Sequence, residues 1–261
     1  MTDHQDISFG MACSALGMGE NDILNILAFE NFKAVELPWE VLCTPDRSLL
    51  NEAIRRNKTI LCGGVTAPHL TRTIPFADRR MRQGFTEQLF KSLELLASRG
   101  IRTAALEIPP DLVAVDPEAE KTVREILCGV APVLLREEMT LLLPLALPCA
   151  VPPETISKFM RETLIPNVKL RLDIHPWQFK PDMTPRGTAG TLAFETRAIT
   201  FRYDADCGGR ILRSHVRQWL DYLLPAGFRG SVLLCPFSLR NRMMLPEADS
   251  FADILDSLKN E

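Results

Sequence analysis

The sequence predicts a single closed (β/α)8 barrel, on three observations. Short apolar runs alternate with amphipathic stretches eight times along the chain, with no evident linker between them. Such alternation demands a parallel sheet, because each helical crossover must return the chain to the same end. The length of 261 residues matches the roughly 250 residues typical of one such barrel. A doubly wound open sheet is the main rival, and it would need a glycine-rich phosphate fingerprint after its first strand. Gly17-Met18-Gly19 is only a fragment of one and reads as a turn. Residues 1–261 are therefore read as one domain.

The elements follow in order. Ile7–Cys13 is a short apolar run, and Glu20–Phe29 has helical spacing at Ile23, Leu24, Ile26 and Leu27. Ala34–Leu37 reads as the second strand, Arg47–Asn57 as a helix, and Thr59–Val65 as a strand closed by Gly63 and Gly64. Ala77–Arg99 places Phe85, Leu89, Leu93 and Leu96 on one helical face, and Thr103–Ile108 is strand-like. Glu118–Arg136 repeats the helical pattern with Val123, Ile126, Leu127 and Val130 facing inward. Met139–Leu147 is a buried-strand run that Pro144 interrupts, and Pro153–Leu164 is a helix with prolines at its start. Lys169–Ile174 and Ile199–Tyr203 are strands flanking a short helix over Thr188–Arg197. A helix from about Arg210 to Leu224, a strand over Gly230–Cys235 and a helix over Phe251–Leu258 complete the pattern.

Composition excludes several classes of function. The chain is 46% hydrophobic and 24% charged, with a formal net charge of −3. A slightly acidic chain without basic runs is a poor binder of nucleic acid. No uninterrupted apolar stretch reaches the ~18 residues of a membrane span, and the polar start, Met1–Phe9, has no apolar core of a secretory signal. The expectation is a cytoplasmic protein with a small-molecule partner, no nucleic acid and no membrane. Seven cysteines without a C-x-x-C pair then read as reduced thiols. Cys13, Cys62, Cys207 and Cys235 fall at or near strand ends, where they pack as small hydrophobes or, on the sharper reading, act as thiolates.

Several segments look familiar. Phe85–Ala105 resembles the helix-and-strand unit of the xylose-isomerase-like barrels. Val35-Glu36-Leu37 resembles their second strand, and Val168–His175 (VKLRLDIH) the strand that carries an aspartate and a nearby histidine. Trp219–Pro236 resembles their final helix–strand unit. The resemblance runs in order through nearly the whole chain. It implies sugar isomerase or epimerase chemistry, in a superfamily that also holds inosose dehydratases and an abasic-site endonuclease. It further implies a divalent metal held by Glu, Asp, His and Glu from the fifth to eighth strands. Those positions here offer Pro144 or nearby leucines, Asp173, Phe201 or Arg202, and Cys235. Asp173 alone matches, so the expectation is a barrel without the usual four-ligand metal site. His175 lies two residues beyond Asp173, where the superfamily histidine usually lies three beyond.

In such barrels chemistry sits at the carboxyl ends of the strands, which selects the remaining candidates. Glu36 ends the second strand, and a carboxylate in an apolar strand must be paired or hydrogen-bonded. His69 follows the third strand and Glu107 the fourth. Asp173 and His175 could act as an acid/base pair. Each of these has a bland reading as a loop-ordering bond or a salt bridge. Arg202, Asp204 and Asp206 share one face of the seventh strand, as substrate contacts or a mutual ion pair. Gly208 and Gly209 precede a helix and leave free N–H groups, which with Arg210 and Arg213 suit an anion. Trp39 and Trp177 follow strands and could stack on a sugar ring, whereas Trp219 reads as helix core.

The functional expectation is a sugar or polyol isomerase- or epimerase-like protein. The alternative is a non-catalytic sugar- or sugar-phosphate-binding protein, a barrel that kept its cavity and lost its metal. An abasic-site nuclease would need a histidine set beyond His4, His69, His175 and His215. Barrels of this type often pair into homo-oligomers.

Overall fold

The computed structural model describes residues 7–13, 19–64, 78–175, 185–203 and 209–236. Eight parallel strands close into a ring in sequence order, β1 to β8, with β8 pairing back onto β1. The strands are β1 (Ile7–Ala12), β2 (Ala34–Pro38), β3 (Thr59–Gly63), β4 (Thr103–Ala105), β5 (Thr140–Leu147), β6 (Val168–Ile174), β7 (Thr196–Tyr203) and β8 (Gly230–Pro236). The helices are α1 (Glu20–Ala28), α2 (Trp39–Cys43), α3 (Ser48–Arg55), α4 (Arg79–Ser98), α5 (Pro110–Val113), α6 (Pro117–Arg136), α7 (Pro153–Thr163), α8 (Arg186–Leu192) and α9 (Gly209–Leu223). Among the described residues no helix is long and apolar enough to cross a membrane.

The expected helices form where amphipathic spacing meets a start signal. Asp78 caps α4 by accepting from the Arg80 N–H, and its stripe Phe85, Leu89, Leu93 and Leu96 is buried. Asp116 accepts from the N–H groups of Glu118 and Ala119, with Pro117 at the first position of α6. Four expectations need correction. β5 runs through Pro144 without a break, held in register with β6 from Leu141 opposite Val168 to Leu147 opposite Ile174. β4 stops at Ala105, because Pro109 and Pro110 already turn the chain into α5. The helix expected over Thr188–Arg197 ends at Leu192, and after a 3-10 turn (Ala193–Glu195) β7 begins at Thr196, earlier than the apolar run suggested. The short helices α2 and α5 were not foreseen. The helix expected at Phe251–Leu258 lies outside the described residues.

Alternation along each strand sorts the core into two separate bodies. Outward residues such as Leu37, Leu143, Leu172 and Phe201 pack against the helices, together with the fully buried Trp219. Inward residues form a second cluster inside the ring: Ala34, Leu61, Ala105, Leu142, Ala198 and Leu233. The inward Gly10 of β1 is required by close approach, since a Cβ there would lie 1.7 Å from the Ala34 carbonyl oxygen. Small residues therefore let the strands close tightly beneath the mouth.

Candidate active site at the barrel mouth

One inward step beyond the apolar layer, the same strands carry charge. Ala34 is followed by Glu36 on β2, Ala198 by Thr200 and Arg202 on β7, and Leu233 by Cys235 on β8. On β6 the inward positions are Arg171 and Asp173, while Leu170, Leu172 and Ile174 face the helices. Glu107 stands two residues past the end of β4. These side chains meet around a cavity of about 340 Å³, lined among others by Glu36, Glu107, Arg171, Thr200, Arg202 and Cys235. That volume falls in the ~300–1,000 Å³ range of small-molecule sites.

Arg171 is the centre of the arrangement. Its Nε donates to Asp173 Oδ1 at 2.9 Å and its Nη2 to Asp173 Oδ2 at 3.1 Å, a side-on fork. Its Nη1 donates to Glu36 Oε2 at 3.0 Å, and its Nη2 lies 3.6 Å from Glu107 Oε1. Carboxylates from three different strand ends thus surround one guanidinium that is 4% exposed. Burial alone would favour loss of its proton, but the fields of Asp173, Glu36 and Glu107 outweigh it and hold the charge firmly. A second guanidinium, Arg202, donates to Asp173 Oδ2 at 3.0 Å.

The two walls differ in what they leave for a ligand. On the β7 side the Arg202 Nε and the Thr200 hydroxyl are buried without a hydrogen-bond partner among the described residues. Buried polar atoms seldom stay unpaired, so this side offers open hydrogen-bonding capacity. On the β2–β4 side two exposed carboxyls line the cavity, Glu40 and Glu107, the latter with 47% of its side chain exposed. Loss of bulk water pushes the Glu107 pKa upward; Asp173 and Glu36 push the same way, and Arg171 and Arg202 oppose. Gly64 sits directly beside it, with φ at +63°, a left-handed conformation natural to glycine, and a Cβ there would lie 3.6 Å from the Glu107 carboxyl. Cys235 is pushed up to about 12 by burial, and Cys13 and Cys62 are also raised by burial, so these thiols stay protonated near neutrality.

The structure brings Glu36, Glu107, Asp173 and Arg202 together at the mouth. His175 follows β6 and is half-buried; burial and then Arg202 lower its pKa, against the pull of Asp173. Both Asp173 oxygens accept from guanidinium groups. Trp39 opens α2 and packs partly buried against the outer core, between Pro38 and Glu40, which line the cavity. Gly209 opens α9, followed by Arg210. His69, Trp177, Asp204, Asp206, Cys207 and Gly208 lie outside the described residues. The residue that sequence reasoning passed over is Arg171. Its signal was present in Leu170-Arg171-Leu172-Asp173-Ile174, where two charges alternate with three apolar residues in a strand buried on both faces.

No protein-family profile matches the sequence, and no curated protein matches it either. Solved structures do match. The chain is similar to D-psicose 3-epimerase from Clostridium cellulolyticum H10, with 15% identity and a TM-score of 0.68 over 95% of this chain and 91% of that one. It is similar to 3-keto-D-glucoside 4-epimerase from E. coli, at 14% identity and a TM-score of 0.67 over 98% and 100% of the two chains. The chain shares the closed (β/α)8 barrel fold of these proteins. A family 2 AP endonuclease from Brucella melitensis shares it, at 16% identity and a TM-score of 0.65 over 92% and 98% of the chains.

The donor set at the mouth does not suit the divalent ion that the resemblance implies. A hard cation asks for several free oxygen or imidazole donors at ~2.0–2.6 Å. Here both Asp173 oxygens and Glu36 Oε2 already accept from arginines. Among the described residues no group of three His, Cys, Asp or Glu side chains is disposed to hold a metal.

Proposed function

We propose that the barrel mouth binds an uncharged polyhydroxylated carbohydrate and moves a proton on it, as an isomerase- or epimerase-type enzyme without the four-ligand divalent ion. The single observation that carries this reading is Glu107, an exposed carboxyl of raised pKa that lines the cavity together with Arg171, 3.6 Å away, and Arg202. A carboxyl with a pKa moved toward neutrality is suited to take and return a proton. Next to a sugar carbonyl, Glu107 removes the proton from the adjacent carbon, and the electron pair becomes an enediolate. The Arg202 Nε and the Thr200 hydroxyl, without partners among the described residues, are positioned to donate to its oxygens. Glu107 then returns the proton to the neighbouring carbon, the former carbonyl carbon, while the hydroxyl proton passes from one enediolate oxygen to the other, and the carbonyl has moved by one carbon. Charge counting favours an uncharged substrate. Glu36, Glu40, Glu107 and Asp173 line or adjoin the cavity against Arg171 and Arg202, which repels a phosphate dianion.

Incubating the protein with a panel of ketoses, aldoses and inositols in D2O tests this. We expect deuterium on the carbon next to the carbonyl of one substrate by NMR. Glu107→Gln should abolish it by about 10²-fold or more, in line with loss of a general base. Absence of exchange across the panel overturns the enzymatic reading. A non-catalytic binding protein is the second reading, favoured by the engagement of Glu36 and Asp173 with Arg171, which takes two of the cavity's carboxylates into ion pairs. Its signature is sugar binding by calorimetry with no exchange.

A further inference from the structure

We infer that Arg171 is the built-in cation of this site, a guanidinium fixed by the fold in the role a free divalent ion would otherwise fill. Glu36 and Asp173 are 2% and 4% exposed, and buried carboxylates need a compensating positive charge. Arg202 reaches only one oxygen of one of them. Arg171 reaches both oxygens of Asp173, one oxygen of Glu36, and the vicinity of Glu107. Its contacts join β2, β6 and the residue beyond β4, so one side chain ties three separate strand ends together. An ion bridging three carboxylates does the same work.

The fork geometry suits this role. A guanidinium offers five N–H donors in one plane and keeps its charge at any physiological pH. Its stem comes from β6 itself, so the charge arrives with the chain and no loading step is needed. The alternation of Leu170, Leu172 and Ile174 on the outer face fixes which way that stem points. The inference stands whether or not the cavity turns over a sugar.

Mn²⁺ and N-ethylguanidinium serve as the probes, with thermal melting and Mn²⁺ electron paramagnetic resonance as readouts. The wild-type chain should melt at the same temperature with Mn²⁺, with N-ethylguanidinium or with EDTA, and should retain no Mn²⁺. In Arg171→Ala the carboxylates lose the Arg171 guanidinium, and N-ethylguanidinium replaces the missing part of the side chain. At about 100-fold excess over its Kd, a cation filling the space should raise the melting temperature by roughly 5–10 °C. Adding Asp173→Asn to that variant should remove the rise. If Arg171→Ala is unfolded in buffer, its refolding on addition of either cation gives the same support, read by near-ultraviolet circular dichroism. Two results overturn the inference. One is stoichiometric Mn²⁺ binding by the wild-type protein that Asp173→Asn abolishes. The other is an Arg171→Ala variant that responds to neither cation. No sugar enters the experiment, so its failure is distinct from that of the proposed activity.

Discussion

At the level of Ala34, Leu61, Ala105, Leu142, Ala198 and Leu233, the barrel interior is neutral and filled. Two residues further along the same strands it holds Glu36, Glu107, Thr200 and Cys235, and on β6 it holds Arg171 and Asp173. A two-residue step keeps the side chain on the same face and moves it ~6.6 Å along the strand. The two levels thus share one alternation and differ only in height. The lower level stabilises by excluding water and filling space. The upper level is held by matched charges, and its stability depends on each carboxylate keeping its partner.

Arg171→Met should have the largest effect. It removes the guanidinium that bonds both Glu36 and Asp173, and breaking such a buried pair costs about 3–5 kcal/mol. Urea denaturation should show this loss, along with weaker carbohydrate binding. Leu142→Ala tests the lower level and should cost about 2–5 kcal/mol by opening a cavity. If it leaves ligand binding intact while Arg171→Met does not, the two levels are functionally separate. Equal damage to binding from both would dissolve the distinction.

Glu107→Gln sharpens the contrast through pH. The folded pKa of Glu107 lies above its unfolded value, so its neutral form is the one the fold favours. Its contribution is fully present below the unfolded pKa and is lost as pH rises through the folded pKa. The variant should therefore melt higher than wild type near pH 7, with the difference vanishing toward pH 4 and below. A melting difference that grows on acidification would reverse the sign and refute the raised pKa. Thr200→Val should have the smallest effect on stability, within about 0.5 kcal/mol, because its hydroxyl has no partner to lose among the described residues. A several-fold loss of sugar affinity would mark that hydroxyl as a ligand contact.

The barrel was legible in the sequence because its signal is periodic and repeated. Leu89, Leu93 and Leu96 announce a helix face, and runs such as Leu141–Leu143 announce strands buried on both sides. The strand-end carboxylates Glu36, Glu107 and Asp173 were legible too, since a charge in an apolar run must serve some purpose. Arg171 was not singled out, for a physical reason. Period-two alternation states which residues point inward, but not how far up the lumen each one lies. Nor does it state which side chains from distant strands meet: Arg171 and Glu36 are 135 residues apart along the chain. Pro144 misled in the opposite direction. It reads as a strand breaker, yet register with β6 on both sides of it carries the strand through.

The closure of the ring has a further bearing on how this protein would fail. Each strand spends both of its lateral rows of amide and carbonyl groups on neighbours, because β8 returns to β1. No bare flank among these strands is left to recruit a strand from another molecule. Damage to the interior would therefore reveal greasy side chains before it revealed pairing-hungry main chain, and clumping would begin as loose adhesion, not as fibril-like stacking.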